Sequence, residues 1–330
     1  MKNYNIYGVG NALVDFEYEV ETSLFDEQAI DKGLMTLIDE DRHNALIERL
    51  ASIPSRKASG GSAANTIIAA AQLGAETFYS CKVASDETGT FYMNDLTAAK
   101  VDSNLGMDNR EDGTTGKCLV MITPDADRTM NTFLGITSRF SEKELVPEAI
   151  QNSDYLYIEG YLVAEEGARA AATKAREMAE AANVKTALTL SDPNMVQFFK
   201  DGLLQMAGSK LSMAFSNLAE AQLMFDCESV DDCAAGMKTL AEQFVITLGP
   251  DGALLHDGNE TITVSAPRVE AIDSNGAGDM FAGSFLYGLT HGLEFRQCGE
   301  LAARAASRLV TQYGPRLDAE TLGGLLKEVS

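Results

Sequence analysis

The 330-residue chain is short of basic residues, of histidine and of paired cysteine, and each shortage excludes a class of function. Lys and Arg number 26 against 49 Asp and Glu, a net charge of −23. A surface field of that sign repels nucleic-acid phosphates and anionic membranes, so neither is expected as a partner. Three dispersed histidines, His43, His256 and His291, argue against a histidine-built metal site or a Ser-His-Asp triad. Five cysteines, Cys81, Cys118, Cys227, Cys233 and Cys298, contain no C-x-x-C pair. That pattern speaks against a disulfide or zinc framework and for a reducing compartment. No apolar run approaches the roughly 18 residues a membrane span needs, and MKNYNIYGVG at the start has no signal-peptide core. A cytoplasmic protein, monomeric or homodimeric, is the expectation. A P-loop is excluded as well, because no G-x-x-x-x-G-K-[ST] occurs.

What is present is alternation. Strand-like runs at 4–10, 77–83, 154–160, 186–191, 211–217 and 243–249 are separated by helix-spaced stretches at 60–74, 91–100, 164–182, 196–206, 218–225 and 233–242. A further strand, 252–258, pairs with 243–249 around a Gly-Pro-Asp-Gly turn, and helices follow at 278–291, 294–313 and 318–328. Such alternation predicts an α/β fold: a doubly wound, mostly parallel sheet with helices on both faces. Two stretches break the rhythm. ALVDFEYEV (12–20) with LMTLID (34–39), and GKCLVMITP (116–124) with RTMNTFLG (128–135), read as strands with no helix between partners. The second pair reads as a hairpin across PDAD (124–127). They predict a small β-rich lid made of two insertions, 12–40 and 114–136, on one domain spanning 1–330.

The stretch DSNGAGDMFAGSFLYGL (273–289) carries the chemistry. Gly276, Ala277 and Gly278 leave bare backbone at the mouth of a helix whose apolar face holds Phe281, Phe285 and Leu289. Free N–H groups and the positive end of the dipole make an anion hole there. Asp279 sits in the first turn, where its charge opposes a phosphate and so needs a purpose. Removing the proton of an alcohol that attacks the phosphate is one; complementing the helix dipole is the other. GVGNAL (8–13) offers only Gly8 and Gly10 of a dinucleotide fingerprint and is followed by strand, which leaves little for an NAD-dependent oxidoreductase.

DSNGAGD (273–279) resembles the C-terminal signature of the ribokinase (PfkB-type) family of sugar and nucleoside kinases. GGSAAN (60–65) before a helix resembles its N-terminal signature, in the expected order. The resemblance implies a ribokinase-like fold and ATP-dependent transfer of the γ-phosphate to a primary hydroxyl. Asp279 would be the base, and the amides of Gly276, Ala277 and Gly278 would hold the moving phosphoryl group. Arg128, after the lid hairpin, would neutralise charge over the phosphates. Asn11, Asp15, Gly60, Gly61 and Asn65 would receive the acceptor. Asn217 and Glu220 match the family's N-x-x-E motif, with Glu220 organising Mg2+ through water, although the same pair reads as a helix cap. Thr247, Gly249 and Gly252 in ITLGPDGALL would lie by the nucleotide, or simply form a hairpin turn. Asn194 would lie near the phosphates, yet Asp192-Pro193 also reads as a helix start. The arginine the family often carries shortly after is replaced by Val196 and Gln197. Asp273 and Ser274 are linked to a potassium site in the family. The G-N-x-x-x-D at 10–15 and the Asp127-Arg128 pair are more similar to the adenosine kinases of the family than to its ribokinases. They imply a nucleoside acceptor, adenosine, with a free sugar (ribose, fructose or a keto-deoxy sugar acid) as the alternative. A binding protein that keeps the fold without catalysis is opposed by the intact Asp279.

Overall fold

The computed structural model describes residues 3–33, 35–106, 110–124 and 128–329; Leu34 and the expected turn residues 125–127 lie outside them. The first strands are β1 (Tyr4–Val9), β2 (Leu13–Glu19), β3 (Met35–Leu37), β4 (Ser55–Gly60), β5 (Thr77–Ser80), β6 (Asp102–Ser103), β7 (Gly116–Ile122) and β8 (Arg128–Phe133). They are followed by β9 (Ser153–Ile158), β10 (Lys185–Thr189), β11 (Leu211–Asn217), β12 (Ala241–Thr247), β13 (Ala253–His256) and β14 (Thr261–Val264). Among them lie helices α1 (Ser23–Gln28), α2 (Glu40–Leu50), α3 (Ser62–Leu73), α4 (Glu87–Ala98), α5 (Pro147–Gln151) and α6 (Glu166–Ala181). The later helices are α7 (Pro193–Ala207), α8 (Leu218–Phe225), α9 (Val230–Leu240), α10 (Ala277–Thr290), α11 (Phe295–Leu309) and α12 (Ala319–Lys327).

The large sheet runs β14-β13-β12-β11-β10-β9-β1-β5-β6. It is parallel from β6 to β12 and ends in two antiparallel pairings, β12 with β13 and β13 with β14. Its buried strands are apolar on both faces, as a sheet covered on both sides requires. Ile6, Tyr157, Phe215 and Val245 face α3, α10 and α11, whereas Tyr7, Ile158, Ala214 and Phe244 face the α5–α9 layer. The chain leaves β1 for β5 on one side and returns as β9 on the other. At such a reversal the crevice beyond the carboxyl ends of the strands is left open for a ligand.

Two close contacts fix the layer above β1. A Cβ on Gly283 of α10 would fall 2.3 Å from the backbone oxygen of Thr66 in α3, and one on Gly8 would fall 2.5 Å from Ile67. A Cβ on Gly10 would meet the Glu159 carboxylate at 2.4 Å. The two glycines that hinted at a dinucleotide fingerprint therefore make room for α3, Gly8, and for a buried acid, Gly10.

The second sheet, β3-β8-β7-β2-β4, lies over the open crevice. Its β7–β8 hairpin matches the sequence expectation. The first insertion differs from it. Helix α1 separates β2 from β3, and these strands do not pair: β2 lies between β4 and β7, while β3 pairs with β8. Strand β4, SRKASG, is not among the strands expected from the sequence, because its exposed Ser55, Arg56 and Lys57 give no apolar alternation. Charged residues on an edge strand are how sheets avoid further pairing. Along β7, Leu119 and Met121 point outward under α1 and α2, and Cys118, Val120 and Ile122 point to the inner face.

The α3–α10 contact gives a test. Alanine is the better helix former by ~1 kcal/mol, but a Cβ at 283 must displace backbone. Gly283→Ala is expected to lower stability by ~1–3 kcal/mol, the usual cost of overpacking. Urea denaturation measures it, and a stabilised variant would mean that the two helices are not in this contact.

Candidate active site

Helix α10 begins without a side-chain cap. Gly276 takes φ 72° at its N-cap, where a Cβ would fall 2.9 Å from Pro315. The Ala277 amide closes a turn onto the Ser274 carbonyl at 3.3 Å, and Met280 donates to the Gly276 carbonyl at 2.7 Å. Between them the amides of Gly278 and Asp279 have no acceptor among the described residues. A Cβ on Gly278 would meet nothing within 4 Å. The Gly276 amide likewise has no acceptor among the described residues, so of the three amides the sequence suggested Ala277 alone is used by the turn itself.

Asp279 projects from this turn toward α3. Its Oδ1 accepts from Ser62 Oγ at 2.7 Å and its Oδ2 from Asn65 Nδ2 at 3.2 Å. Burial pushes its pKa up to about 6, against the opposing pull of those two hydrogen bonds and of Arg128. Such a carboxylate is ionised near neutral pH and more basic than an exposed one.

The acceptor-side residues come from three elements. Asn11 follows β1, Asp15 lies on the inner face of β2, and Gly61 with Asn65 opens α3. All four line one cavity of about 460 Å³ together with Asp279. Gly60 does not line it. Its part is steric, since a Cβ there would fall 2.2 Å from the Asp15 carboxylate. Gly61 takes φ 99°, with the Asn11 carbonyl 2.1 Å from where its Cβ would be. Asp15 is 7% exposed; burial, then the charge of Glu17, raises its pKa to about 7 despite Arg316 and Arg128.

At the far end, Asn217 and Glu220 line the same cavity and form a complete capping box. Asn217 donates to Glu220 through its backbone N at 3.0 Å and its Nδ2 at 2.6 Å. Burial raises the Glu220 pKa to about 7. Thr247 and Ser274 also face the cavity. Gly249, Gly252 and Asn194 are not brought to it. Gly252 serves the hairpin, where a Cβ would fall 2.0 Å from the Val264 carbonyl. Asn194 N donates to the Asp192 cap at 2.7 Å, and it is Asp192 that faces the cavity.

Arg128 lines the cavity too, and it is already paired. Its Nε lies 2.7 Å from Asp273 Oδ1, and both side chains are largely buried. Asp273 itself does not line the cavity and also accepts from the backbone N of Asn275 at 2.9 Å and of Gly314 at 3.0 Å. The Asp273 carboxylate linked to potassium by resemblance thus already carries a guanidinium.

Sequence reasoning missed Ser62, Asp192 and Glu159. Ser62 stood inside the quoted GGSAAN signature, and Asp192 was noted as a cap. Glu159 ends the strand YLYIEG, where an acid among apolar residues was the available signal. It is 1% exposed; Oε2 accepts from Ala63 N at 2.8 Å and Oε1 from Asn11 Nδ2 at 3.1 Å. Glu159 therefore caps α3, which Gly61 cannot do for lack of a side chain. Burial raises its pKa to about 7.

These acids set a pH dependence of stability. Asp15, Glu159 and Glu220 keep protons to about pH 7 in the fold, whereas unfolded carboxyls ionise near pH ~4. Between those values the folded state binds more protons, so unfolding free energy declines as pH rises through the window. Urea denaturation between pH 4.5 and 7.5 (about the width of that window) is expected to show falling stability; a rising profile would mean the acids are ionised in the fold.

The chain matches the family model described as pfkB family carbohydrate kinase over residues 51–322. The solved adenosine kinase from Sinorhizobium meliloti superposes with a TM-score of 0.91 at 31% identity, with 100% of each chain covered. A probable sugar kinase protein from Rhizobium etli gives 0.92 at 30% identity, over 99% of each chain. Adenosine kinase of Saccharomyces cerevisiae is 26% identical, covering 95% of this chain and 97% of that protein. Two glycine-rich helix starts meeting across one cavity, in a chain matched from end to end, place this protein in the pfkB family of carbohydrate kinases.

Proposed function

We propose that this enzyme transfers the γ-phosphate of ATP to the primary hydroxyl of adenosine. One observation carries the reading: Asp279, with a pKa of about 6, shares a cavity with the open amides of Gly278 and Asp279 and with Asp15 and Asn11. A base, an anion hole and hydroxyl acceptors are the parts that phosphoryl transfer to a sugar alcohol needs. The choice of a nucleoside is supported by the lid. Its inner face sets Leu13, Met35, Leu37, Met130 and Leu134 along the cavity, a surface for a flat apolar base. Similarity to the Sinorhizobium adenosine kinase over the whole chain supports the same choice.

In this reading Asp15 and Asn11 hold the ribose hydroxyls, and Asp279 accepts the proton of the attacking hydroxyl. The Gly278 and Asp279 amides receive the phosphoryl oxygens. Arg128 adds positive charge when it turns from Asp273, and the smaller sheet acts as a lid that keeps water from the transfer. The residues present fit magnesium as a water-bridged ion. Glu220 and Asp192 face the cavity, and among the described residues no three His, Cys, Asp or Glu converge into a cage. Mg2+ keeps several waters and is commonly held by one or two carboxylates with substrate phosphates. When bound, it supplies charge neutralisation for the transferring group. Free thiols and the acidic composition support a cytoplasmic setting.

Asp279→Asn is expected to lower kcat by ~10²–10⁴ with ATP affinity nearly unchanged. Full turnover by that variant would remove Asp279 from its role. With magnesium-ATP, ADP release is expected to be fastest with adenosine; phosphorylation of ribose or fructose but of no nucleoside would sink the acceptor assignment. Potassium at Asp273 and Ser274 is a subsidiary proposal, and it requires Arg128 to leave Asp273. Rates with KCl and with a sodium salt at equal ionic strength test it, equal rates removing potassium.

A further inference from the structure

Arg316 lies in the loop between α11 and α12, outside the cavity lining, and touches three separate elements. Its Nη1 pairs with Asp95 Oδ2 of α4 at 2.6 Å. Its Nη2 donates to the Ser59 carbonyl of β4, in the lid sheet. Its Nε donates to Asn65 Oδ1 at 3.4 Å. The loop is anchored on its other side to the phosphate turn: Gly314 N donates to Asp273 at 3.0 Å, and Pro315 packs against Gly276.

A carboxamide has one acceptor and one donor end, and its orientation follows from its partners. With Arg316 holding the oxygen, the Nδ2 of Asn65 must face Asp279 Oδ2, where it donates at 3.2 Å. An amide free to flip would place its oxygen against that carboxylate instead, a repulsive contact. We propose that Arg316 is a positioning residue for the base: it fixes the Asn65 amide toward Asp279 and ties the lid edge to the phosphate turn. The inference rests on the reading of Asp279 as base. It assigns a task to a residue that does not itself line the cavity.

Other charged and titratable groups also act on Asp279. They are Arg128 of β8, Asp15 of β2, Tyr157 of β9, and Glu159 with Tyr161 beyond β9. Of these, Asp15 also feels the charge of Arg316, which a lysine at 316 keeps. The loss of a hydrogen bond donated to the charged form raises the pKa of a carboxyl. Removing Arg316's hold is therefore expected to move the acidic limb of the kcat/KM profile upward.

The test uses Arg316→Lys, which keeps the charge for Asp95 but cannot hold Asn65 and Ser59 at once. Expected are a melting temperature near that of the parent, a kcat lower by ~10-fold, as misplacement of reacting groups costs, and an acidic limb moved to higher pH. In an Asn65→Ala background the same change is expected to add little, since the two act through one contact. A folded Arg316→Lys enzyme with unchanged kcat and limb overturns the proposal, as does full additivity with Asn65→Ala. Asp279→Asn in the same assay separates the two ideas. If it keeps its turnover the base assignment fails, whereas a normal loss with an unmoved Arg316→Lys profile condemns only the role of Arg316.

Discussion

Two helices begin within hydrogen-bonding distance of each other, and the site depends on that meeting. Helix α3 contributes Ser62 and Asn65 from its first turn, and α10 contributes Asp279 from its own. Gly283 lets the helices approach until backbone meets backbone. Hydrogen bonds to a charged group stabilise by ~1.5–3 kcal/mol each, and the helix end adds ~0.3–1 kcal/mol. Both favour the charged carboxylate, yet its pKa stands above the ordinary value at about 6. Desolvation wins, and a base of useful strength is the result.

The second constraint is electrostatic. A protein of net charge −23 that handles a polyanion would be expected to gather lysines around it. Among the described lining residues Arg128 is the only Lys or Arg, while Asp15, Glu159, Glu165, Asp192, Glu220 and Asp279 all face the cavity. In the proposed function the open backbone amides at the start of α10 meet the anion instead. Several of the acids are muted by burial: Asp15, Glu159 and Glu220 titrate near 7. Glu159 and Glu220 also spend their oxygens on helix starts. Arg128 in turn rests on Asp273, so its charge is stored beside the phosphate turn rather than exposed.

Much of this was legible in the sequence, and the rest was hidden for identifiable reasons. Apolar runs and glycine punctuation place the parallel strands and α10, because burial on both faces leaves a continuous hydrophobic signature. Asp279, Asn65 and Gly61 stand inside contiguous motifs. Glu159 and Arg316 take their meaning only from elements far away in the chain, the starts of β2 and α3 for one and β4, α3 and α4 for the other. Strand β4 is held by its neighbour β2 while its first three side chains stay exposed, so no periodicity marks it. Arg128 is placed over the phosphates by resemblance, but nothing near it in sequence signals Asp273, 145 positions later in the chain, against which folding sets it. Asn194 shows the converse: a polar residue in a suggestive place whose amide is used by a helix cap.

The most direct measurement is a crystal structure of the enzyme with adenosine, ADP and a planar metal-fluoride mimic of the moving phosphoryl group. The account predicts the 5′-hydroxyl within hydrogen-bonding distance of an Asp279 oxygen and the mimic's equatorial atoms on the amides of Gly278 and Asp279. A 5′-hydroxyl turned away from Asp279, or a mimic held elsewhere than at the start of α10, would contradict it.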